Sequence, residues 1–168
     1  MDTFREALIT EPGKIVLHEA EKKTPGSGEV MIKVVSSAIC GSDMHLYSGK
    51  HPYAKLPTTV GHELAGVIEE VGADVTRFKV GDRVCVEPLI TCGQCYYCQR
   101  GRYDYCENLR LKYRSGSSGY ADYYYAKERW IHLLPDEISF DEGALMEPLA
   151  CTVHAAMKAR IQLCDSVC

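Results

Sequence analysis

With 168 residues, 46% of them hydrophobic and 25% charged, the chain has the make-up of one globular domain, or of one domain and the beginning of another. A formal net charge of -4 leaves no electrostatic footprint for nucleic acid or for an anionic membrane surface, and no apolar run approaches the ~20 residues of a membrane span. The N-terminal Met1-Asp2-Thr3-Phe4-Arg5-Glu6 has no apolar stretch of the secretory kind, so a cytoplasmic location is expected.

Residues 4–9 and 14–18 read as two short strands around the turn Glu11-Pro12-Gly13. Thr24-Pro25-Gly26-Ser27-Gly28 is a turn-rich lead into Glu29–Ala38, an apolar and β-branched run that reads as a strand. Cys40–Gly49 is expected to be a loop with a helical turn, and Lys50–Thr58, with its two prolines, a loop. Leu64–Val71 and Arg83–Glu87 are strand candidates separated by Gly72 and Val80-Gly81-Asp82. Residues 92–106 have no hydrophobic period and need something else to hold them. Tyr120–Ala126 and Trp130–Leu134 read as strands, stopped at Leu134-Pro135-Asp136. Beyond Asp141 the pattern turns helical over Glu142–Arg160, interrupted at Pro148, and Asp165-Ser166-Val167-Cys168 looks like the opening of a further strand. Many short strands punctuated by Gly and Pro predict a mainly β domain with short helices, closed like a barrel.

Of nine cysteines, Cys92, Cys95, Cys98 and Cys106 fall too close together for a disulfide ladder. Four thiolates in one loop can wrap a tetrahedral zinc and leave no position open for water or substrate, which makes a structural ion the expected occupant. The rivals are an iron–sulfur cluster and a nucleic-acid knuckle. Residues 99–114 do carry five basic and two acidic side chains, but the rest of the chain is acidic and lacks a recognition module.

A second constellation is spread along the chain. Gly61-His62-Glu63 offers an imidazole and a carboxylate, Cys40-Gly41-Ser42-Asp43-Met44-His45 a thiolate and several polar groups, and Met146-Glu147-Pro148-Leu149 another carboxylate. Taken singly these residues are unremarkable. Cys40 would pass as a small buried apolar group, His62 as a hydrogen-bonded structural residue, and Glu147 as a carboxylate favouring a helix start. Together they supply what a catalytic zinc with one open position requires. A metalloprotease reading of His62-Glu63 fails, because its motif needs a second histidine where Gly66 stands.

Gly61-His62-Glu63-Leu64-Ala65-Gly66, with Gly72 and Val75 beyond, resembles the signature of the zinc-containing medium-chain alcohol dehydrogenases. Cys40–His45, the four-cysteine segment and Glu147-Pro148-Leu149 follow in that family's order, and the branch most resembled is that of sorbitol, threonine and related polyol dehydrogenases. The resemblance implies a GroES-like β-barrel catalytic domain over residues 1–147, with a structural zinc lobe at 88–110. Residues 148–168 would then be a linker helix and the start of a Rossmann domain. It implies two zinc ions, one catalytic and one structural, and NAD or NADP in the full-length enzyme. The substrate would be a small alcohol or polyol, oxidised to a ketone, with a homo-oligomer possible and no nucleic acid or membrane as partner.

Carried over residue by residue, Cys40 and His62 would ligate the catalytic zinc. Glu63 would be the third ligand in the sorbitol-like branch, with Glu147 ligating or hydrogen-bonding the water there. In other branches the position of Glu147 ligates instead, and both arrangements stay open. Asp43 would orient His62 and fix its tautomer. Ser42 would pass the substrate proton onward and His45 would be the next station toward solvent. The plainer alternatives are a helix cap for Ser42 and an exposed loop histidine for His45.

A dinucleotide fingerprint needs glycines between a strand and a helix. Gly26-Ser27-Gly28 has Met31 where the third glycine belongs and precedes a strand, so it fails. In the resembled family the fingerprint begins just beyond the counterpart of Asp165-Ser166-Val167, and Cys164 stands where glycine is common. The chain alone is therefore expected to bind zinc but turn over poorly, as a fragment of a longer enzyme. The alternative is a non-catalytic zinc-binding module.

Overall fold

The computed structural model describes residues 2–52, 55–111, 118–160 and 164–166. Strands β1 (Thr3–Glu11) and β2 (Lys14–Glu21) form an antiparallel hairpin, longer at both ends than the apolar pattern suggests because the ladder continues through charged residues to Thr3 opposite Glu21. β3 (Glu29–Ala38) falls where the sequence put it, and α1 (Gly41–Tyr47) fills most of the expected loop. β4 (Thr58–Thr59) adds to the edge of β1, giving a three-stranded sheet in the order β2-β1-β4.

The larger sheet is built from β5 (Glu63–Val71), β6 (Arg83–Val86), β9 (Tyr123–Lys127) and β10 (Ile131–Leu133) together with β3. Its order is β10-β6-β5-β3-β9, all antiparallel. β7 (Leu89–Ile90) and β8 (Arg110–Leu111) close the base of the cysteine segment as a two-stranded ribbon too short to show a pattern in sequence. The result is a mainly β domain of curled sheets with few short helices, as the strand pattern predicts.

β5 is the central strand, and its first four residues, Glu63 to Gly66, are all buried. Leu64 and Ile68 pack with Val30, Ile32, Val84, Tyr124 and Ile131 in the main core, each fully buried aliphatic group contributing roughly 1.5–3 kcal/mol. A Cβ at Gly66 would collide with the Lys33 carbonyl, opposite the place where the β3–β5 register shifts between Val34 and Ser36. The glycine lets the two strands close over that bulge.

The strand expected over Tyr120–Ala126 begins only at Tyr123, because the three residues before it are bound elsewhere. The Ala7 N–H donates to the Tyr120 carbonyl and the Asp122 N–H to the Arg5 carbonyl (2.9 and 3.0 Å), so this bend stitches the two sheets together. Trp130 lies in a 3-10 turn rather than in β10. The helical stretch is two helices, α2 (Phe140–Ala144) and α3 (Met146–Ala159), and the break is at Leu145, not at Pro148. Ser139 starts α2 early, accepting the Glu142 N–H (3.2 Å) while the Glu142 carboxylate accepts the Ser139 N–H (2.8 Å). Pro148 sits in the first turn of α3, where a missing N–H costs little. Among the described residues α3 buries none of its own side chains; Leu149, Val153 and Met157 line one exposed side. Asp165 and Ser166 have no regular structure, and Val167 and Cys168 lie outside the described residues.

Candidate metal centres

Two groups of metal-ligating side chains converge. In the first, one donor atom each from Cys92, Cys95, Cys98 and Cys106 lies within 4.8 Å of all the others. Two 3-10 turns, Cys98–Arg100 and Tyr103–Tyr105, fold the segment so that the sulfurs face inward. Backbone N–H groups donate to them: Cys92 N to the Cys106 sulfur at 3.3 Å and Cys95 N to the Cys92 sulfur at 3.4 Å. The N–H groups of Gln94 and Cys95 pull the Cys92 thiol down to about 6, while burial and the neighbouring Cys95 push the Cys98 thiol up to about 11. Four thiols this close cannot all ionise without a cation among them, so the donor set fits a tetrahedral zinc. Within the lobe, Arg100 stacks on Tyr96 at 3.7 Å and Arg102 on Tyr105 at 4.3 Å, which accounts for part of the local basic charge.

The second group draws on distant parts of the chain: the donor atoms of Cys40, His62 and Glu63 also lie within 4.8 Å of one another. Cys40 caps the N-terminus of α1 just beyond the end of β3. His62 and Glu63 enter β5, where Glu63 stands opposite Ala38, and both side chains are buried. Gly61 makes that entry possible. Its φ of +84° suits glycine, and a Cβ there would overlap the Tyr120 ring at 2.7 Å. Thiolate, imidazole and carboxylate are a donor set suited to zinc with a position to spare.

Asp43, in the first turn of α1, ties these pieces together. Its Oδ2 accepts the Cys40 N–H at 3.1 Å, and its Oδ1 accepts the Gly61 N–H at 3.4 Å and lies 3.7 Å from His62 Nδ1. The shortest bond to this carboxylate comes from a residue the sequence did not single out: the Tyr120 hydroxyl donates to Oδ2 at 2.7 Å. Burial, then the hydrogen bond to Asp43 and that carboxylate's charge, hold the hydroxyl above the usual tyrosine range, so it stays a donor at physiological pH. No spacing rule marks Tyr120, because its relation to Asp43 spans 77 positions.

Glu147 is in the first turn of α3 and stands outside the three-donor set. Burial raises its carboxyl above the ordinary carboxylate range, while the His62 charge opposes the shift and the Glu63 charge adds to it. The Cys151 thiol donates to it from one turn along at 3.8 Å. Ser42 is half-buried and His45 exposed, three residues apart on α1 and therefore on neighbouring turns of one side.

The alcohol dehydrogenase GroES-like domain family matches residues 26–136. A sorbitol dehydrogenase of Halalkalibacterium halodurans is 40% identical over 156 residues, covering 92% of this chain and 45% of its own length. Among solved structures, an oxidoreductase/dehydrogenase of unknown specificity from Escherichia coli superposes with a TM-score of 0.90 at 34% identity, covering 98% of this chain and 49% of its own. A zinc-binding dehydrogenase described as putative, from Sinorhizobium meliloti and bound to NADP, superposes with a TM-score of 0.86 at 32% identity, covering 94% and 46%. The chain thus spans less than half the length of the curated relative and of both solved structures. No helix among the described residues is long and apolar enough to cross a membrane. With the fold, the Gly61-His62-Glu63 turn and these matches in agreement, the chain belongs to the alcohol dehydrogenase GroES-like domain family and is related to the sorbitol and polyol dehydrogenases over their N-terminal portion.

Proposed function

We propose that this chain is the metal-binding catalytic portion of a zinc-dependent oxidoreductase, oxidising a secondary alcohol or polyol to a ketone with NAD or NADP bound by a further region. The observation that carries this reading is the convergence of Cys40, at the N-terminus of α1, with His62 and Glu63, at the start of β5, on one point. Residues 1–147 would form the catalytic domain and 148–168 the link to the nucleotide-binding half. In this reading the protein works in the cytoplasm on a small molecule, alone or as a homo-oligomer.

Cys40, His62 and Glu63 would hold one zinc, and the four lobe cysteines another. Zinc at the first site supplies Lewis acidity, which brings the ionisation of a hydroxyl toward neutral pH. Asp43 fixes the Cys40 and Gly61 backbone so that the donors keep their places. Ser42 takes the hydroxyl proton and His45, open to solvent, passes it on. Glu147 faces the site as a second carboxylate, able to ligate or to hold a water.

Metal analysis tests the reading. Two zinc ions per chain are expected in the wild type, and one in Cys40→Ser or His62→Ala, with the lobe metal retained. Unchanged metal content in both variants refutes the assignment. Dehydrogenase assays with NAD and NADP, with a nucleotide-binding half of a polyol dehydrogenase supplied, separate the enzyme from a non-catalytic zinc module: the first turns over, the second binds metal and does not.

A further inference from the structure

We infer that Tyr120 is a positioning residue of the three-donor metal centre, its hydroxyl holding the Asp43 carboxylate in the one orientation that fixes both the Cys40 cap and the Gly61–His62 turn. This rests on the metal reading above and adds to it a residue that is not itself one of the donors.

The geometry leaves Tyr120 little freedom. Its N–H donates to the Ser118 hydroxyl (3.1 Å), which in turn donates to the Val60 carbonyl (2.6 Å), and its own carbonyl accepts the Ala7 N–H (2.9 Å). Ser118 is fully buried, and Gly119 donates to the Gly61 carbonyl at 2.9 Å. A Cβ at Gly119 would meet the Gly61 backbone at 2.7 Å, so the two glycines lie against each other and the ring covers Gly61. The backbone of 118–120 is thus locked to the residues immediately before His62.

From that anchor the hydroxyl reaches Asp43 Oδ2 at 2.7 Å, with the Ala38 carbonyl 3.1 Å away. Asp43 has two oxygens and serves three further groups: the Cys40 N–H, the Gly61 N–H and the His62 ring. Its other bonds are longer, at 3.1 and 3.4 Å, so the hydroxyl is the strongest single restraint on how the carboxylate is turned. Without it the carboxylate is free to rotate toward its remaining donors. The two halves of the site, one on α1 and one on β5, then lose their common tie.

Tyr120→Phe removes the hydroxyl and keeps the ring over Gly61. The zinc-loaded chain is challenged with an excess of chelator, and release is followed as two phases, one per site. The expected result is roughly tenfold faster release from the three-donor site and unchanged release from the four-cysteine site, with the zinc-free protein still unfolding cooperatively at a slightly lower melting temperature. In the cobalt-substituted protein the ligand-field bands of the three-donor site should shift while the four-thiolate bands stay put, a signature that a packing role would not produce. Release at the wild-type rate overturns the proposal. So does faster release from both sites, or loss of the fold, since either assigns the hydroxyl to general packing. On an Asp43→Ala background Tyr120→Phe should add nothing further; an additional tenfold would show that it acts independently of Asp43, and the proposal falls. A wild-type chain that holds only one metal ends the metal reading itself, whereas two metals with Tyr120→Phe unaltered ends only the part given to the tyrosine.

Discussion

The two candidate metal centres of this domain are built in opposite ways. The lobe takes all four donor side chains from the fifteen positions Cys92 to Cys106, held by short turns and a short two-stranded ribbon. The other site takes Cys40 from the end of one strand and His62 and Glu63 from the start of another, with the sheet register bringing them together. A centre made from local chain has little but its ion to order it, whereas one made from distant strands inherits its geometry from the core. The same element should therefore be a fold determinant in one place and a passenger on the fold in the other.

The largest expected effect follows from that contrast. Cys95→Ser should abolish order across 92–106, since metal binding in small cysteine-rich units supplies about 10 kcal/mol or more of what is effectively folding energy. Hydrogen exchange should then show loss of protection in the lobe and none in β3 or β5. If the lobe stays protected without metal, the contrast is broken. Next in size is Gly66→Ala, which drives a side chain into the Lys33 carbonyl and should cost roughly 3 kcal/mol, read from thermal melting. The lobe metal should remain.

Glu63→Ala and Glu147→Ala sharpen the comparison at the second site. Because Glu63 belongs to the converging donors and Glu147 does not, removing Glu63 should weaken that metal by more than the roughly 10- to 100-fold typical of losing a supporting partner, and removing Glu147 by no more than that, as measured by competition with a chelator. The reverse order would make Glu147 the third ligand. The smallest effect is expected at Glu128, which belongs to neither donor set. Its carboxylate accepts the N–H groups of Arg77 and Thr76 (3.0 and 3.1 Å), which hold it below the ordinary carboxylate range. A depressed folded-state pKa gives stability that is full above the unfolded value of about 4.3 and is lost as pH falls through the lower folded value. Wild type and Glu128→Gln should thus differ slightly in melting temperature at pH 7 and converge below pH ~4, with metal content the same throughout.

How much of this was legible in sequence follows the same division. β3 was readable residue for residue from its β-branched run, and the lobe from cysteine spacing alone, because in both cases the signal is local. The grouping of Cys40, His62 and Glu63 was suggested by motif, yet their proximity depends on a β3–β5 register with two irregularities that no pattern announces. The helix break was misplaced at Pro148 although Ser139 and Glu142 carried a capping-box signature three residues apart; the proline was the louder signal and the less important one. Tyr120 was invisible because it was read as an ordinary strand residue, and only the bend joining the sheets turns its ring onto Gly61.

That bend has a practical bearing on anyone wishing to transplant the three-donor site into another β scaffold. Copying the strand ends that bear Cys40, His62 and Glu63 would import the ligands but leave behind Ser118-Gly119-Tyr120, which clasps them from a part of the chain almost sixty positions downstream. A host lacking a counterpart to that clasp would receive the right chemistry on an unsteady mount.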